Sequence, residues 1–299
     1  MSEISKICLL GFGEVGQTLA EDFLSSGGIS LSAWDILFSD RGSIPSRGLN
    51  GKQVLEGMGA VDAVTGADLV ISAVTAAETV KAAQSVAAGL APGTWYVDMN
   101  SASPGMKQEA ARLINDAGGR YVEAAVMSPI GPKRIATSIL LGGPHADGFE
   151  PLANELGFIG MKVFSDQYGK ASAAKMCRSV VVKGVEAILT ESLLSARHYG
   201  VEETVVNSLN DLFPGPDWQK LSRYMISRSL EHGKRRAEEM REVARTVKDA
   251  GIEPLMSAAS AERHDWAALR KAALKEEDLA DMLDAIMKIS PDSEEKLPC

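Results

Sequence analysis

Short apolar runs alternate with segments of helical spacing over the first half of the chain. The apolar runs predict strands at residues 7–10, 30–34, 68–73, 95–98, 121–126, 139–141 and 162–164. The segments between them predict helices from residue 15 onward and at 76–88, 104–117 and 149–156, with a short helix at 51–58. Strands that are apolar along nearly their whole length and alternate with helices indicate a parallel sheet covered on both faces. We therefore predict a doubly wound α/β domain.

The pattern changes at about residue 167. From 169 to 289 the spacing is helical throughout, with interruptions at glycine or proline near 200, 214–216 and 251–254. The first helix of this region, predicted at 170–199, contains no proline and would span ~45 Å. We predict two domains, an α/β domain at 1–167 and an all-helical domain at 168–299 that starts with this long interdomain helix.

The turn after the first strand carries the most specific motif. Gly11, Gly13 and Gly16 form the pattern GxGxxG between an apolar run and a helix. The first glycine lets the chain turn off the strand, the second lets a pyrophosphate approach the backbone, and the third lets the helix lie close on the sheet. The helix N-terminus offers N–H groups and a partial positive charge to the phosphates. This predicts a dinucleotide-binding domain of the Rossmann type. Its cofactor-binding turn consists of Gly11, Phe12, Gly13, Glu14, Val15 and Gly16.

Asp35 ends the second predicted strand and bears on the choice of dinucleotide. A carboxylate at this place accepts hydrogen bonds from the ribose hydroxyls and repels a 2′-phosphate, which favours NAD. Arg41 and Arg47 lie in the loop that follows and could instead bind that phosphate. The sequence thus predicts NAD as the cofactor and leaves NADP open.

Ligands of a doubly wound sheet lie beyond the carboxyl ends of its strands. The residues that follow the third and fourth predicted strands in this way are Val74, Thr75, Asn100 and Ser101. We predict that the first three contact the cofactor and that Ser101 contacts the substrate. The alternative for Thr75, Asn100 and Ser101 is that they cap the helices that follow.

The composition excludes several other kinds of site. Lys and Arg number 31 against 40 Asp and Glu, so no basic surface for a nucleic acid or a membrane is indicated. No apolar run approaches the ~20 residues that cross a bilayer, and no targeting peptide precedes the first strand. The four histidines are scattered without the spacing of a metal site. Cys8, Cys177 and Cys299 form no CxxC pair, which is typical of a protein in the reducing cytoplasm.

Lys175 lies near the start of the long helix, with Arg178 and Ser179 on the same face at i+3 and i+4. A lysine there could deprotonate a substrate hydroxyl if burial or a nearby cation lowers its pKa from ~10.4. Taken alone, this spacing favours an ordinary solvated lysine on a helix surface.

Four segments together resemble the β-hydroxyacid dehydrogenase family, the group of 3-hydroxyisobutyrate dehydrogenase and 6-phosphogluconate dehydrogenase. They are GFGEVGQTLA for the cofactor motif, YVDMNSASP for a D-x-S-T segment, YVEAAVMSPIGP for a substrate motif and GKASAAKMCRS for a lysine motif. The resemblance implies that Lys175 is the catalytic acid/base, that the substrate is a small molecule, and that the chain forms a homodimer through its helical domain. Residues 231–256 further resemble the C-terminal domain of a poorly characterised subgroup named after phosphogluconate dehydrogenase.

The substrate motif departs from the family pattern. A serine and two glycines that hold a substrate carboxylate in the family are replaced by Met127, Ser128 and Pro129, so only Ser128 can still donate a hydrogen bond there. Residue 182 is a valine where decarboxylating relatives have a glutamate, which argues against oxidative decarboxylation.

The lysine motif departs as well, because Arg178 and Ser179 replace two asparagines. Arg178 could bind a substrate carboxylate bidentately or lower the pKa of Lys175. The alternative is that Arg178 only pairs with an acidic neighbour. Ser179 is predicted to support the substrate oxygen beside the lysine.

These residues predict an NAD(P)-dependent dehydrogenase that oxidises the hydroxyl of a small hydroxyacid or related alcohol. The altered substrate motif leaves two alternatives open. One is a reductase of imines or bulky aryl ketones on the same scaffold, and the other is a dinucleotide-binding sensor without turnover.

Overall fold

The structure is a computed structural model that describes residues 4–289. The chain divides between Met176 and Cys177 into two compact units. This division lies beyond the predicted boundary at 167/168, because the first turns of the long helix are bonded to the sheet of the first unit.

The first unit is built on one eight-stranded sheet. Its order is β3-β2-β1-β4-β5-β6-β7-β8, and neighbours among the first six strands are parallel. The strands are β1 Lys6–Leu10, β2 Ser30–Trp34, β3 Val54–Glu56, β4 Leu69–Ser72, β5 Trp95–Asp98, β6 Arg120–Val126, β7 Ile139–Gly142 and β8 Met161–Ser165. β7 runs antiparallel to β6, and β8 is parallel to β7. The predicted doubly wound α/β fold is confirmed, and the antiparallel edge is an addition to it.

Helices cover both faces of this sheet and bury its apolar side chains. On one face Leu19, Phe23 and Phe149 pack over the strands, and on the other Ala83 and Ile114 do so. The helices of this unit are α1 Glu14–Ser26, α2 Ile44–Leu49, α3 Ala60–Val64, α4 Thr79–Val86, α5 Pro104–Asp116, α6 Ile130–Lys133 and α7 Ala146–Glu155.

The prediction of a short helix at residues 51–58 is wrong. Residues 54–56 form the edge strand β3, which pairs with β2 in the register Leu31↔Val54 and Ala33↔Glu56. This pairing joins segments far apart in the sequence, so local spacing does not reveal it. Its consequence is that Glu56 lies beside the end of β2.

The rest of the described chain is helical, as predicted. α8 Lys170–His198 begins in the first unit, and it is followed by α9 Glu202–Leu212, α10 Trp218–Asp249, α11 Leu255–Ala268 and α12 Leu279–Lys288. Leu193, Ile226 and Met282 belong to the apolar core of the second unit. None of the helices within residues 4–289 is long and apolar enough to cross a membrane.

α10 is interrupted at His232, which has the non-helical angles φ −115° and ψ 17°. The next residue, Gly233, packs closely on α11, where a Cβ would lie 2.5 Å from the carbonyl oxygen of His264. The helical spacing of the sequence does not indicate this break.

Candidate active site

The turn from β1 to α1 needs glycine for different reasons at its three motif positions. Gly11 has φ +94°, and a Cβ there would lie 2.5 Å from the carbonyl oxygen of Ala73. A Cβ at Gly16 would overlap the carbonyl oxygen of Gly11. At Gly13, by contrast, no atom of the described chain outside residues 12–14 lies within 4 Å of the place a Cβ would occupy. Packing thus explains Gly11 and Gly16, and the open space at Gly13, beside the N-terminus of α1, fits a bound pyrophosphate.

Asp35 fastens this turn to the end of β2. The backbone N–H of Phe12 donates to its Oδ2 at 2.8 Å, and that of Leu37 donates to its Oδ1 at 2.9 Å. Each carboxylate oxygen has two acceptor positions, so both can still accept from a ribose hydroxyl. The phenyl ring of Phe12 is fully buried, which leaves only its backbone for a cofactor, whereas Glu14 is exposed and Val15 half-buried.

The loops after β4 and β5 are joined by a buried asparagine. The Asn100 Oδ1 accepts from the Val74 backbone N–H at 2.7 Å, and its Nδ2 donates to the Ser72 hydroxyl at 3.0 Å. Thr75 is the N-cap residue of a 3₁₀ turn, but its side chain makes no capping hydrogen bond. The alternative of helix capping is wrong for Asn100 and Ser101, because α5 begins at Pro104 with Ser103 as its N-cap.

The first unit brings Ser101 and Lys175 together. The Lys175 Nζ donates to the Ser101 Oγ at 2.6 Å, and the lysine is half-buried. The start of α8 is held in place by Glu123 of β6, a fully buried residue that accepts from the backbone N–H groups of Gly169 at 2.6 Å and Ser172 at 2.5 Å. Two segments distant in sequence thus present one hydroxyl and one amine at a fixed distance.

A buried ion pair lies beneath the loop that carries Ser101. The Lys107 Nζ is 2.7 Å from the Asp98 Oδ1, and both side chains are at most 1% exposed. Asp98 also accepts from the Tyr121 hydroxyl at 2.6 Å and from the Asn100 backbone N–H at 2.9 Å. Burial, with the charge of Asp98 beside it, raises the pKa of Tyr121 well above its usual value of 10. Asp98 therefore fixes the start of the loop through four hydrogen bonds from three donor groups, which lie in the loop, in α5 and in β6.

Sequence reasoning missed this ion pair, although a signal for it exists. Lys107 shares the buried face of α5 with Ala110, Ala111 and Ile114 at helical spacing. A lysine on an apolar face is rarely buried unless a carboxylate meets it.

Ser128 follows β6, and its hydroxyl is buried without a hydrogen-bond partner among residues 4–289. A buried hydroxyl in this state is costly until an acceptor or donor reaches it. Its neighbour Met127 uses its backbone N–H in a hydrogen bond to the Ser138 carbonyl at 2.9 Å. Within the altered substrate motif, the Ser128 hydroxyl is thus a group to which a ligand can form a hydrogen bond.

Arg178 and Ser179 belong to the second unit, where Arg178 is exposed. The Ser179 Oγ accepts from the Lys183 Nζ at 3.3 Å, and Lys183 is paired with Glu239 at 2.5 Å. The predicted roles of Arg178 and Ser179 stay predictions.

Beside this pair, the second unit buries further ionisable groups. Glu186 is 1% exposed and is paired with Arg236 at 3.0 Å, while its Oε2 has no hydrogen-bond partner within the described chain. Burial raises the pKa of Glu186 to about 7 in spite of the nearby cations. Burial, aided by nearby cations, lowers the pKa of His264 to about 4, and its Nδ1 is 2.8 Å from the Ser229 hydroxyl. Near pH 6 the fold therefore favours a protonated glutamate and a neutral histidine.

Substitution of Glu186 by glutamine should reveal how this carboxyl group makes the free energy of unfolding depend on pH. A raised carboxyl pKa stabilises the fold below the ordinary value of 4.5, and this contribution is lost as the pH rises through about 7. The advantage of wild type over Glu186→Gln in free energy of unfolding should thus shrink by about 2 kcal/mol between pH 5 and pH 7. His264 is common to both proteins, so its opposite dependence cancels. Urea unfolding of both proteins at each pH measures the difference, and a constant difference would contradict the assignment.

Within residues 4–289 no group of histidine, cysteine and acidic side chains is arranged to hold a metal ion. Cys8 and Cys177 are free thiols, the first buried and the second exposed, and Cys299 lies outside the described residues.

Comparison with known families assigns both parts of the chain. Residues 6–169 match the family described as the NAD binding domain of 6-phosphogluconate dehydrogenase. Residues 196–267 match a domain of unknown function, DUF1932.

Known proteins similar to the chain over most of its length include two of unestablished function. A conserved hypothetical protein from Sinorhizobium meliloti 1021 is 33% identical, with a TM-score of 0.73 over 95% of this chain and 96% of that one. A conserved protein of unknown function, described as structurally similar to 3-hydroxyacid dehydrogenases, is 31% identical, with a TM-score of 0.67 over 88% of this chain and 96% of that one. The 2-(hydroxymethyl)glutarate dehydrogenase of Eubacterium barkeri is 22% identical over 78% of each chain.

Proposed function

Because the chain belongs to the 3-hydroxyisobutyrate and 6-phosphogluconate dehydrogenase-like family, through the NAD binding domain that fills more than half of it, we propose that it is an NAD(P)-dependent hydroxyacid dehydrogenase. Its substrate is a small hydroxyacid or related alcohol, and Lys175 is the acid/base. The observation that carries the proposal is the 2.6 Å hydrogen bond from the Lys175 Nζ to the Ser101 Oγ, beyond the carboxyl end of β5. Ligands of this fold bind at that edge.

In the proposed reaction the substrate hydroxyl loses its proton to the Lys175 Nζ while its carbon loses a hydride. The bound nicotinamide supplies the hydride acceptor. Ser101 holds the lysine amine in place and can donate its own hydroxyl proton to the substrate oxygen. Ser128 offers a second buried hydroxyl, which suits a substrate carboxylate. A positioned acid/base of this kind contributes about 10²–10⁴-fold to turnover.

The proposed dinucleotide lies on residues 11–16, with its adenosine ribose on Asp35. The free acceptor positions of Asp35 and the open space at Gly13 support this placement. Asp35 also supports NAD over NADP, because its charge repels a 2′-phosphate.

Alanine at Gly13 should separate cofactor binding from folding. Outside residues 12–14 the added Cβ meets no described atom within 4 Å, so the midpoint of thermal unfolding should fall only by the small amount that alanine costs at the N-cap of α1. The same Cβ would fill the space of the pyrophosphate and weaken NADH binding by about tenfold or more. Calorimetric titration with NADH measures the loss. The comparison variant is Gly16→Ala, which should lower the unfolding midpoint because its Cβ overlaps the Gly11 carbonyl.

The experiment that tests the function is an absorbance screen at ~340 nm, where reduced nicotinamide absorbs. NAD and NADP are each combined with 3-hydroxyacids, β-hydroxy amino acids, aryl alcohols and sugar acids. Turnover of a carboxylated alcohol supports the proposal. Activity confined to imines or aryl ketones would replace it with the reductase alternative, and NADH binding without any turnover would replace it with the sensor.

We further propose that the protein is a homodimer through its helical unit. Apolar side chains of α8 and α11 are exposed there, with Ile188 54%, Leu255 69% and Met256 60% accessible. Ile188 and Met256 line a groove of about 360 Å³. Light scattering should give twice the chain mass of 31.8 kDa, and Ile188→Glu should give the monomer. The matched variant Ile159→Glu, at an exposed position of the first unit, should stay dimeric.

A further inference from the structure

A pocket of about 620 Å³ opens beside the end of β2, and its wall carries three charged side chains. These are Asp35, Arg41 and Glu56. Trp34 and the highly exposed Met58 add apolar surface to the same wall. A cavity at the end of β2 that has apolar walls and a carboxylate suits the adenosine half of a dinucleotide.

The edge strand brings Glu56 to this pocket. In the parallel register Ala33 is opposite Glu56, and the Gly57 backbone N–H donates to the Ala33 carbonyl at 3.0 Å. Glu56 therefore lies beside the end of β2, opposite the residue two positions before Asp35, although Glu56 and Asp35 are far apart in sequence. A helix at residues 51–58 would not bring the side chain to this edge.

The three charges are not equivalent. Asp35 is held by two backbone N–H groups, so its position is fixed by the fold. Arg41 is 72% exposed and donates from its Nη1 to the Glu56 Oε2 at 2.8 Å. Glu56 is 35% exposed and so is the more buried partner of that pair. The Arg41 guanidinium thus binds a carboxylate of the protein, and this ion pair competes with binding of a phosphate.

We propose that Glu56 sets the cofactor preference of this pocket by holding Arg41 in an ion pair and by adding a second negative charge beside Asp35. The proposal rests on the dinucleotide site of the proposed function. The two carboxylates and one guanidinium give the wall a net charge of −1 at neutral pH. A 2′-phosphate, with a charge of about −1.5 to −2, is repelled by this wall, whereas two ribose hydroxyls are accepted.

Neutralising Glu56 should therefore favour the phosphorylated cofactor. In Glu56→Gln the wall becomes neutral, and Arg41 is released to donate two parallel hydrogen bonds to a 2′-phosphate. NADPH should bind about 3- to 10-fold more tightly than to wild type, while the affinity for NADH stays within about twofold. The double variant Glu56→Gln/Arg41→Ala should lose this gain, because the gain acts through Arg41.

The test is calorimetric titration of each protein with NADH, NADPH, ADP and adenosine 2′,5′-bisphosphate, so that no substrate is required. ADP and adenosine 2′,5′-bisphosphate contain only the adenosine half of the cofactor. Their relative affinities should change between variants in the same direction as those of NADH and NADPH. The matched control is Glu150→Gln, which breaks the similarly exposed pair with Lys162 on the far strand β8 and should shift no ratio.

The outcomes distinguish the role of Glu56 from the existence of the dinucleotide site. The role of Glu56 is supported if wild type prefers NADH, if the ratio of NADH to NADPH affinity is smaller in Glu56→Gln, and if the double variant restores the wild-type ratio. An unchanged ratio in Glu56→Gln, or a wild type that prefers NADPH, overturns that role and leaves the dinucleotide site standing. Failure of wild type to bind any of the four probes overturns the dinucleotide site itself, and the inference with it.

Discussion

Turnover should fall about 100-fold or more when Lys175 is replaced by methionine, while NADH binding stays within twofold of wild type. The methionine keeps the approximate length of the lysine side chain but removes the amine that accepts the substrate proton in the proposed reaction. It also removes the donor to Ser101, so the hydroxyl loses the partner that now lies 2.6 Å away. Steady-state kinetics on the alcohol found in the screen, followed over the pH range 6–10, measures the loss.

Two further variants define what the lysine contributes. Lys175→Arg keeps a hydrogen-bond donor for Ser101, yet a guanidinium stays protonated and cannot accept the substrate proton, so this variant should be as inactive as the methionine variant. Lys170→Met removes an exposed lysine from the first turn of the same helix and should leave turnover unchanged. Near-native turnover of Lys175→Met at every pH would exclude the acid/base role.

Replacing Lys107 by methionine should destabilise the protein by about 3–5 kcal/mol, the largest loss of stability expected from a single charge in the first unit. The substitution leaves the Asp98 carboxylate buried without its cation, while the remaining donors are the Tyr121 hydroxyl and the Asn100 backbone N–H. An uncompensated buried charge costs far more than the pair itself contributes. Urea unfolding followed by circular dichroism gives the change.

The control for this substitution is Lys81→Met. Lys81 is 72% exposed and is paired with Glu78 at 2.9 Å, so its removal should cost less than about 1 kcal/mol. The double variant Lys107→Met/Asp98→Asn should recover part of the loss, because the buried charge is then gone. If Lys107→Met cost no more than Lys81→Met, the ion pair would not hold the loop.

The dinucleotide turn is readable from the sequence because its backbone geometry is a local requirement, although the contact of Gly11 with Ala73 is not. Gly11 needs a positive φ, and Gly16 needs the helix to pass close to the turn. Both conditions are set by residues within one strand, one turn and one helix. The alternation of strands and helices is local in the same sense, and the helical second half was predicted for that reason.

Features that depend on distant partners were not predicted. The spacing of residues 51–58 predicts a helix in place of β3, because the pairing of β3 with Leu31 and Ala33 leaves no signal in its own sequence. The reversal of β7 against β6 likewise depends on which strand it meets. Side-chain spacing shows which face of a helix or strand is buried, but it does not show which element lies beside it.

The buried ion pairs within each of the two units are also absent from the sequence prediction, although each charged residue gives a signal. Lys107 stands on the apolar face of α5, and Glu186 and Lys183 are buried along α8. A charge among apolar residues at helical spacing indicates a buried pair without identifying the partner. Only the fold brings Asp98 to Lys107 and Arg236 to Glu186.

Glu123 fixes the start of α8 and thereby the position of Lys175 on that helix. Its carboxylate binds the backbone N–H groups of Gly169 and Ser172, so both the axial position and the rotation of α8 are set at its first turn. One residue inserted between Gly169 and Lys175 would rotate the amine by about 100° away from Ser101. Changes of substrate in such a protein must therefore come from exchanges of side chains and not from changes of length in this interval. Retargeting the proposed site would therefore begin with side-chain exchanges at residues 127–129, where Ser128 is the proposed substrate ligand, and would keep the number of residues from 169 to 175 unchanged.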